Sequence, residues 1–229
     1  MLLFGGIDPT ASSRRPTFCA LINEKFWLVK LKPCRKDAEI VAFFPSPTWA
    51  IGLDAPCTLP LGLGRCCMED VPQCNCQPQN PWKGRIAERE LRSLGIHAYV
   101  ISRESFAKGW IRRGLRLRDQ LLAANHTVLE VFPTATKKRL FPKSSWQLKS
   151  RREERQRLQS LLREWIEGLP TAEEHLLSHD ELDALLAALT VLLHYYHATI
   201  LVGDQVEGQI VIPRLYTTKS DLLQKPVLS

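Results

Sequence analysis

Two stretches of this 229-residue chain end in the same way, and that shared ending constrains the fold more than any other feature. Met1-Leu2-Leu3-Phe4-Gly5-Gly6-Ile7-Asp8-Pro9-Thr10 is an apolar run that stops on an acid and turns at once on a proline. Trp49-Ala50-Ile51-Gly52-Leu53-Asp54-Ala55-Pro56 repeats the design. An apolar run bounded by turn residues reads as a buried strand. Its terminal acid then lies at the carboxyl end, where open α/β sheets place their ligands. If the two strands pair in parallel, about 4.8 Å apart, Asp8 and Asp54 face one another at one sheet edge. Neighbouring carboxylates repel unless they share a cation. Taken singly, each acid also fits a plainer role, since Asp before a proline turn is a common turn opener. Gly5 and Gly6 leave room for a strand or a phosphate to come close.

The intervening chain alternates short strand and helix patterns, the signature of an α/β domain. Residues 17–22 and 26–31 predict a hairpin, and residues 35–44 a helix ended by Pro45 and Pro47. A helix follows at 84–94, closed by Gly95, with a short extended segment at 97–101 behind it. A longer helix over 103–124, a strand at 127–133 stopped by Pro133 and a helix over 151–167 come next. The pattern at 179–197 is the most legible of all. Ser178 and Glu181 form a capping-box signature, leucines make an apolar stripe, and Ala184, Ala187 and Ala188 allow close approach to a sheet. A strand over 209–212 closes a single domain at 1–216, and 217–229 reads as a loosely held tail.

Charge and cysteine are distributed unevenly. The net charge is +7, but between Lys137 and Arg163 ten basic residues face only Glu153 and Glu154. Lys108, Arg112, Arg113, Arg116 and Arg118 form a second cluster. Such clusters suit an anionic polymer, because phosphate contacts supply most non-specific nucleic-acid affinity; a solvated helix face is the plainer account of either one. Five of the seven cysteines fall in a Cys- and Pro-rich insertion at 57–83. Cys66, Cys67, Cys74 and Cys76 offer four thiolates to zinc, although the spacing is not the usual C-x-x-C. Unliganded thiols are the alternative, and iron–sulfur ligation is less favoured. No run approaches the roughly 18 apolar residues that a membrane span needs. No basic region precedes the N-terminal apolar stretch, so a cytoplasmic location is expected.

Four acids stand out by position: Asp8 and Asp54 at strand ends, Glu130 inside an apolar strand, and Asp183 in the first turns of the capped helix. A buried Glu130 needs a cation or donors. Carboxylates gathered at one sheet edge are hard oxygen ligands suited to Mg²⁺ or Mn²⁺. Two such ions about 4 Å apart support phosphodiester hydrolysis.

Here the chain resembles a known family. Gly6-Ile7-Asp8, Ile51-Gly52-Leu53-Asp54-Ala55-Pro56, Arg85-x-x-Glu88-Arg89-Glu90-Leu91-Arg92 and Leu129-Glu130-Val131-Phe132-Pro133-Thr134-Ala135 are similar to its motifs, in its order. Leu182-Asp183-Ala184-Leu185-Leu186-Ala187-Ala188-Leu189 and Gly203-Asp204-x-x-Glu207-Gly208-Gln209-Ile210 continue the series. The family is the domain of unknown function numbered four hundred and twenty-nine, described as predicted nucleases. The resemblance implies an RNase H-like mixed sheet flanked by helices. It also implies a carboxylate metal site at Asp8, Asp54, Glu130 and Asp183, with Glu88 a weaker candidate. Arg85, Arg89, Arg112, Arg116, Lys137, Lys138 and Arg139 are then the expected contacts to DNA or RNA. Two further readings stand beside the nuclease. One is a non-catalytic nucleic-acid-binding or scaffold protein with a zinc-stapled loop. The other, an actin-like phosphotransferase, is disfavoured because Asp8-Pro9-Thr10-Ala11-Ser12-Ser13 lacks a glycine-rich phosphate loop.

Overall fold

The computed structural model describes residues 1–12, 14–69, 74–79, 83–141, 151–215 and 217–223. Both matched runs are strands, β1 (Leu3–Asp8) and, after two others, β4 (Ala50–Leu53). Between them β2 (Thr17–Asn23) and β3 (Leu28–Cys34) form the expected hairpin, with helix α1 (Asp37–Phe43) behind it. β3 starts two residues later than the pattern suggests, because Phe26 takes a left-handed turn conformation at φ 58° and is buried in the core. It also runs through Pro33, which is tolerated because β3 lies at the sheet edge.

Helix α2 (Ile86–Ser93) ends as its sequence indicates. Gly95 lies at φ 72° and the Ile96 N–H returns to Leu91 O at 2.9 Å. Residues 97–101 join no strand, and helix α3 (Lys108–Ala123) begins later than expected after a turn. Strand β5 (Val128–Val131) is followed directly by α4 (Pro133–Leu140), an element that the sequence pattern did not reveal. Pro133 does not stop the chain but starts the helix, at the position where its fixed φ fits and its missing N–H costs nothing. Helices α5 (Arg152–Trp165) and α6 (His179–Tyr195) match their predicted patterns. Strands β6 (Thr199–Asp204) and β7 (Gly208–Pro213) form a hairpin, of which only β7 was expected. Helix α7 (Lys219–Leu223) departs from the expected loose tail, since Leu222 is buried in the main core and Lys219 pairs with Glu167; residues 224–229 lie outside the described residues.

The strands form one mixed sheet in the order β3-β2-β1-β4-β5-β7-β6. β1, β4, β5 and β7 are mutually parallel, while β2, β3 and β6 run antiparallel to their neighbours. Helices cover both faces. On one, α6 lies against β1, β2 and β4, with α4 and α5 packed against α6. On the other, Ile7, Ile51 and Leu53 meet Ile40 of α1 and Leu117 and Leu121 of α3, while α2 covers Val202 and Ile210.

Every residue of α6 from Leu182 to Leu193 is buried, and each buried leucine contributes about 1.5–3 kcal/mol of transfer free energy. Its capping box forms: Glu181 N–H donates to Ser178 Oγ at 3.2 Å, and Ser178 N–H to Glu181 Oε2 at 2.8 Å. The close approach expected at Gly6 is made by this helix, not by a strand or a phosphate. A Cβ on Gly6 would lie 2.1 Å from Ala184 O and 2.3 Å from Ala188 N, and one on Gly52 2.8 Å from Ala187 O. Among the described residues, no helix is long and apolar enough to cross a membrane.

Candidate functional site

The parallel pairing of β1 and β4 sets Gly6 opposite Gly52 and Ile7 opposite Leu53. Asp54 N–H continues the ladder by donating to Ile7 O at 2.9 Å. Asp8 and Asp54, one residue further on, therefore end adjacent strands side by side. Side chains alternate across a sheet, so Asp8 follows Gly6 onto the face that α6 covers, while Asp54, just past the end of β4, lines a cavity with Arg85, Glu88 and Glu130. Trp49 and Phe4, at the strand starts, touch Tyr195 at the C-terminal end of α6. The N-terminal end of α6 thus lies toward the acids, and it carries Asp183 next to the Ala184 carbonyl that abuts Gly6. Asp183 lines a small cavity with Lys137, Arg155 and His179.

Glu130 shares that cavity with Asp54 but lies away from Asp8 and Asp183. It is in register with Leu53 and Ile210 and looks toward the opposite face. There the buried Arg85 grips it with two bonds, Nη2 to Oε1 at 2.5 Å and Nη1 to Oε2 at 2.8 Å. Cys57 N–H donates to Oε2 as well, at 2.7 Å. Arg85 also binds Glu88, through Nε at 2.8 Å and Nη2 at 2.6 Å, and Thr58 Oγ1 at 2.7 Å. Burial alone would lower the pKa of Arg85, but the Glu130 and Glu88 carboxylates hold it above its ordinary value. Burial raises the pKa of Glu88, and Arg85 opposes that shift. The cation that a buried Glu130 requires is thus a side chain of the same protein. Among the described residues, the four carboxylates form no group close enough to share an ion.

Several basic residues expected at a nucleic-acid surface sit elsewhere. Arg85 is 2% exposed, and Lys137 and Arg139 are buried, with Arg139 Nε donating to Pro213 O. Lys138 Nζ closes the end of α2 by donating to Gly95 O at 3.2 Å. Arg116 is exposed but pairs with Asp37 at 2.9 Å. Its neighbour Arg113 is buried and binds Asp37 and Thr10 O, tying α3 to the turn behind Asp8. Arg89 and Arg112 are exposed. Lys143 and Lys149 lie outside the described residues.

The cysteine insertion has its own order. A short 3-10 turn, Arg65–Met68, presents Cys66 and Cys67 toward Cys74 and Cys76. The Sγ atoms of Cys66 and Cys74 are 3.1 Å apart, those of Cys67 and Cys74 3.2 Å, and those of Cys66 and Cys76 3.5 Å; all four lie within 4.8 Å of one another. Hydrogen bonding from Cys66 lowers Cys74 to about 6, and the same contact, with that to Cys76, pushes Cys66 up to about 12. Four thiols in this arrangement can hold one metal ion such as zinc. Cys57 stands apart, buried with its thiol on Ala55 O.

Two features had no clear signal in the sequence. Glu207 is buried and accepts Leu61 N–H at 2.8 Å and Ile86 N–H at 2.9 Å, so the last hairpin fixes the root of the insertion. Tyr99 and the exposed Phe106 meet edge to face at 5.5 Å, and Tyr99 lines a cavity of about 30 Å³ with Asp54, Arg85 and Glu130. Aromatics interleaved with bases at Phe106-Ala107-Lys108-Gly109-Trp110 were the available hint. Compared with protein-family models, with curated proteins and with solved structures, the chain matches none.

Proposed function

We propose that the chain is a metal-dependent nuclease of the RNase H-like fold, hydrolysing phosphodiester bonds of DNA or RNA at the edge bearing Asp8, Asp54 and Asp183. The observation that carries this reading is the side-by-side ending of parallel β1 and β4 on Asp8 and Asp54, beneath the acidic end of α6. A mixed sheet flanked by helices is compatible with the fold that the motif resemblance implies.

The donor set suits Mg²⁺ or Mn²⁺ by chemical type alone, because the carboxylates do not lie close enough to share an ion without moving together. Asp8, Asp54 and Asp183 supply the hard oxygen donors that these ions take. Glu130 does not fit, because Arg85 and the Cys57 N–H occupy both its oxygens. It is proposed here as a positioning residue, which through Arg85 holds α2 and the root of the insertion beside the acidic edge. When bound, the metal lowers the pKa of water and stabilises the leaving oxygen of the phosphodiester. Exposed Arg89 and Arg112 are the proposed phosphate contacts.

The test is cleavage of single- and double-stranded DNA and RNA oligonucleotides with Mn²⁺ or Mg²⁺. Asp8→Asn is expected to abolish cleavage while leaving the circular dichroism spectrum and melting temperature intact; unchanged cleavage in that variant would sink the proposal. Binding without cleavage on every substrate would favour the second reading, a nucleic-acid-binding or scaffold protein with a stapled loop. The four-thiol cluster is compatible with either reading.

A further inference from the structure

We propose that Cys66, Cys67, Cys74 and Cys76 form a closed structural zinc centre that locks the insertion against α3. The argument starts from donor type and spacing. Zinc takes four thiolates at about 2.3 Å in a tetrahedron, which sets the sulfurs a little under 4 Å apart, about 3.8 Å by that geometry. The thiols already approach this, with pairs at 3.1, 3.2 and 3.5 Å and none further than 4.8 Å from another. An iron–sulfur cluster fits less well, since its cysteines must spread over more than one iron.

The surroundings are those of a structural site. Met68, Ile101, Ile111 and Leu115 make an apolar floor under Cys67. Gly64 leaves the sulfurs their space, because a Cβ there would stand 3.2 Å from Cys76 Sγ and 3.3 Å from Cys66 Sγ. Four protein ligands complete the tetrahedron and leave no position for water or substrate. Binding releases the four thiol protons and leaves a tetrathiolate of net charge −2. Arg103 stands against it, Nη2 lying 3.7 Å from Cys74 Sγ and 3.3 Å from Cys74 O. Such outer contacts orient the ligands and offset their charge.

The centre also explains how the insertion keeps its shape. Beyond the 3-10 turn at Arg65–Met68, its described residues contain no regular element. Its root is fixed by the bonds from Cys57 to Glu130 and from Leu61 to Glu207. Zinc supplies the second anchor, at the far end. Between the anchors lies a cavity of about 320 Å³, with Leu63 and Pro78 on the insertion side and Ser102 and Arg103 opposite.

Elemental analysis of the protein as purified tests the proposal without reference to nuclease activity. One zinc per chain is expected, with no iron and no acid-labile sulfide. Exchange for Co²⁺ should give thiolate-to-cobalt charge-transfer absorption. The double variant Cys66→Ser/Cys74→Ser should lose the zinc and be cut by protease within the insertion on the order of tenfold faster, with its far-ultraviolet circular dichroism unchanged. Cys34→Ser, outside the cluster, should keep the metal. Iron with sulfide, four freely titrating thiols and no metal, or full zinc occupancy in the double variant would each overturn the assignment.

Discussion

Arg85 is the residue on which most of the buried polar structure converges. Replacing it with Met would strand Glu130 and Glu88 as two buried carboxylates without their cation. Breaking a buried pair in this way costs about 3–5 kcal/mol, so Arg85→Met should lower the unfolding free energy by that amount in urea titration. A surface phosphate contact would cost almost nothing, so the measurement separates the two roles. The sequence could not do so, because it shows an arginine three residues before a glutamate on a helix but not the strand behind it. His194 allows a second check. It is half-buried with Nδ1 2.7 Å from Thr199 Oγ1, and burial, then the nearby His197, lowers its pKa. A depressed folded-state pKa means that the neutral form stabilises the fold. That contribution is present above about pH 6.5 and is lost as pH falls through the folded-state value. His194→Gln should therefore flatten the decline in melting temperature on acidification through that range.

At the scale of elements, the tightest joint is α6 against β1. No flexible side chain lies between the Gly6 Cα and the backbone of Ala184 and Ala188, so the joint cannot yield by a rotamer change. Gly6→Ala should force the helix off the strand at a cost of about 3 kcal/mol or more, seen as a large drop in melting temperature. Elements with strong local patterns were legible. α6 had its cap, its leucine stripe and its alanines, and β1 and β4 had matched apolar runs. Elements decided by their surroundings were not. α4 opens on a proline that looked like a strand's end, and its run of basic residues, two of them buried, masks the packing of Ala135, Thr136 and Leu140. β6 is a half-exposed edge strand with little apolar contrast. Of the candidate site, the pairing of Asp8 with Asp54 was readable because register follows from two identical patterns. The fate of Glu130 was not, since one residue of register decides which face a side chain takes.

For the whole molecule, the net charge of +7 overstates the surface available to a polymer. Arg85, Arg113, Lys137 and Arg139 are buried, and Arg116 is engaged by Asp37. If nucleic acid binds, Arg112→Glu and Arg89→Glu should each weaken it and reduce the salt dependence by roughly one phosphate contact, a slope change of about 0.9 for duplex DNA. Lys137→Ala and Arg139→Ala should instead act mainly on stability, read by thermal melts. Charge counted along the chain cannot distinguish these sets, because burial is set by packing between distant segments.

The bond from Leu61 to Glu207 spans 146 residues, and that from Ile86 to Glu207 spans 121. A ribosome makes the insertion well before its anchor at Glu207. Until the last hairpin emerges, the loop root is held by Glu130 without Glu207, and β5 lacks its outer neighbour β7. Such non-local closure is slow and leaves an unpaired strand edge open to other chains. A chain stopped after α6 should therefore aggregate during synthesis, whereas one stopped after β7 should remain dispersed. The bonds of Leu61 and Ile86 thus wait for a single distant glutamate.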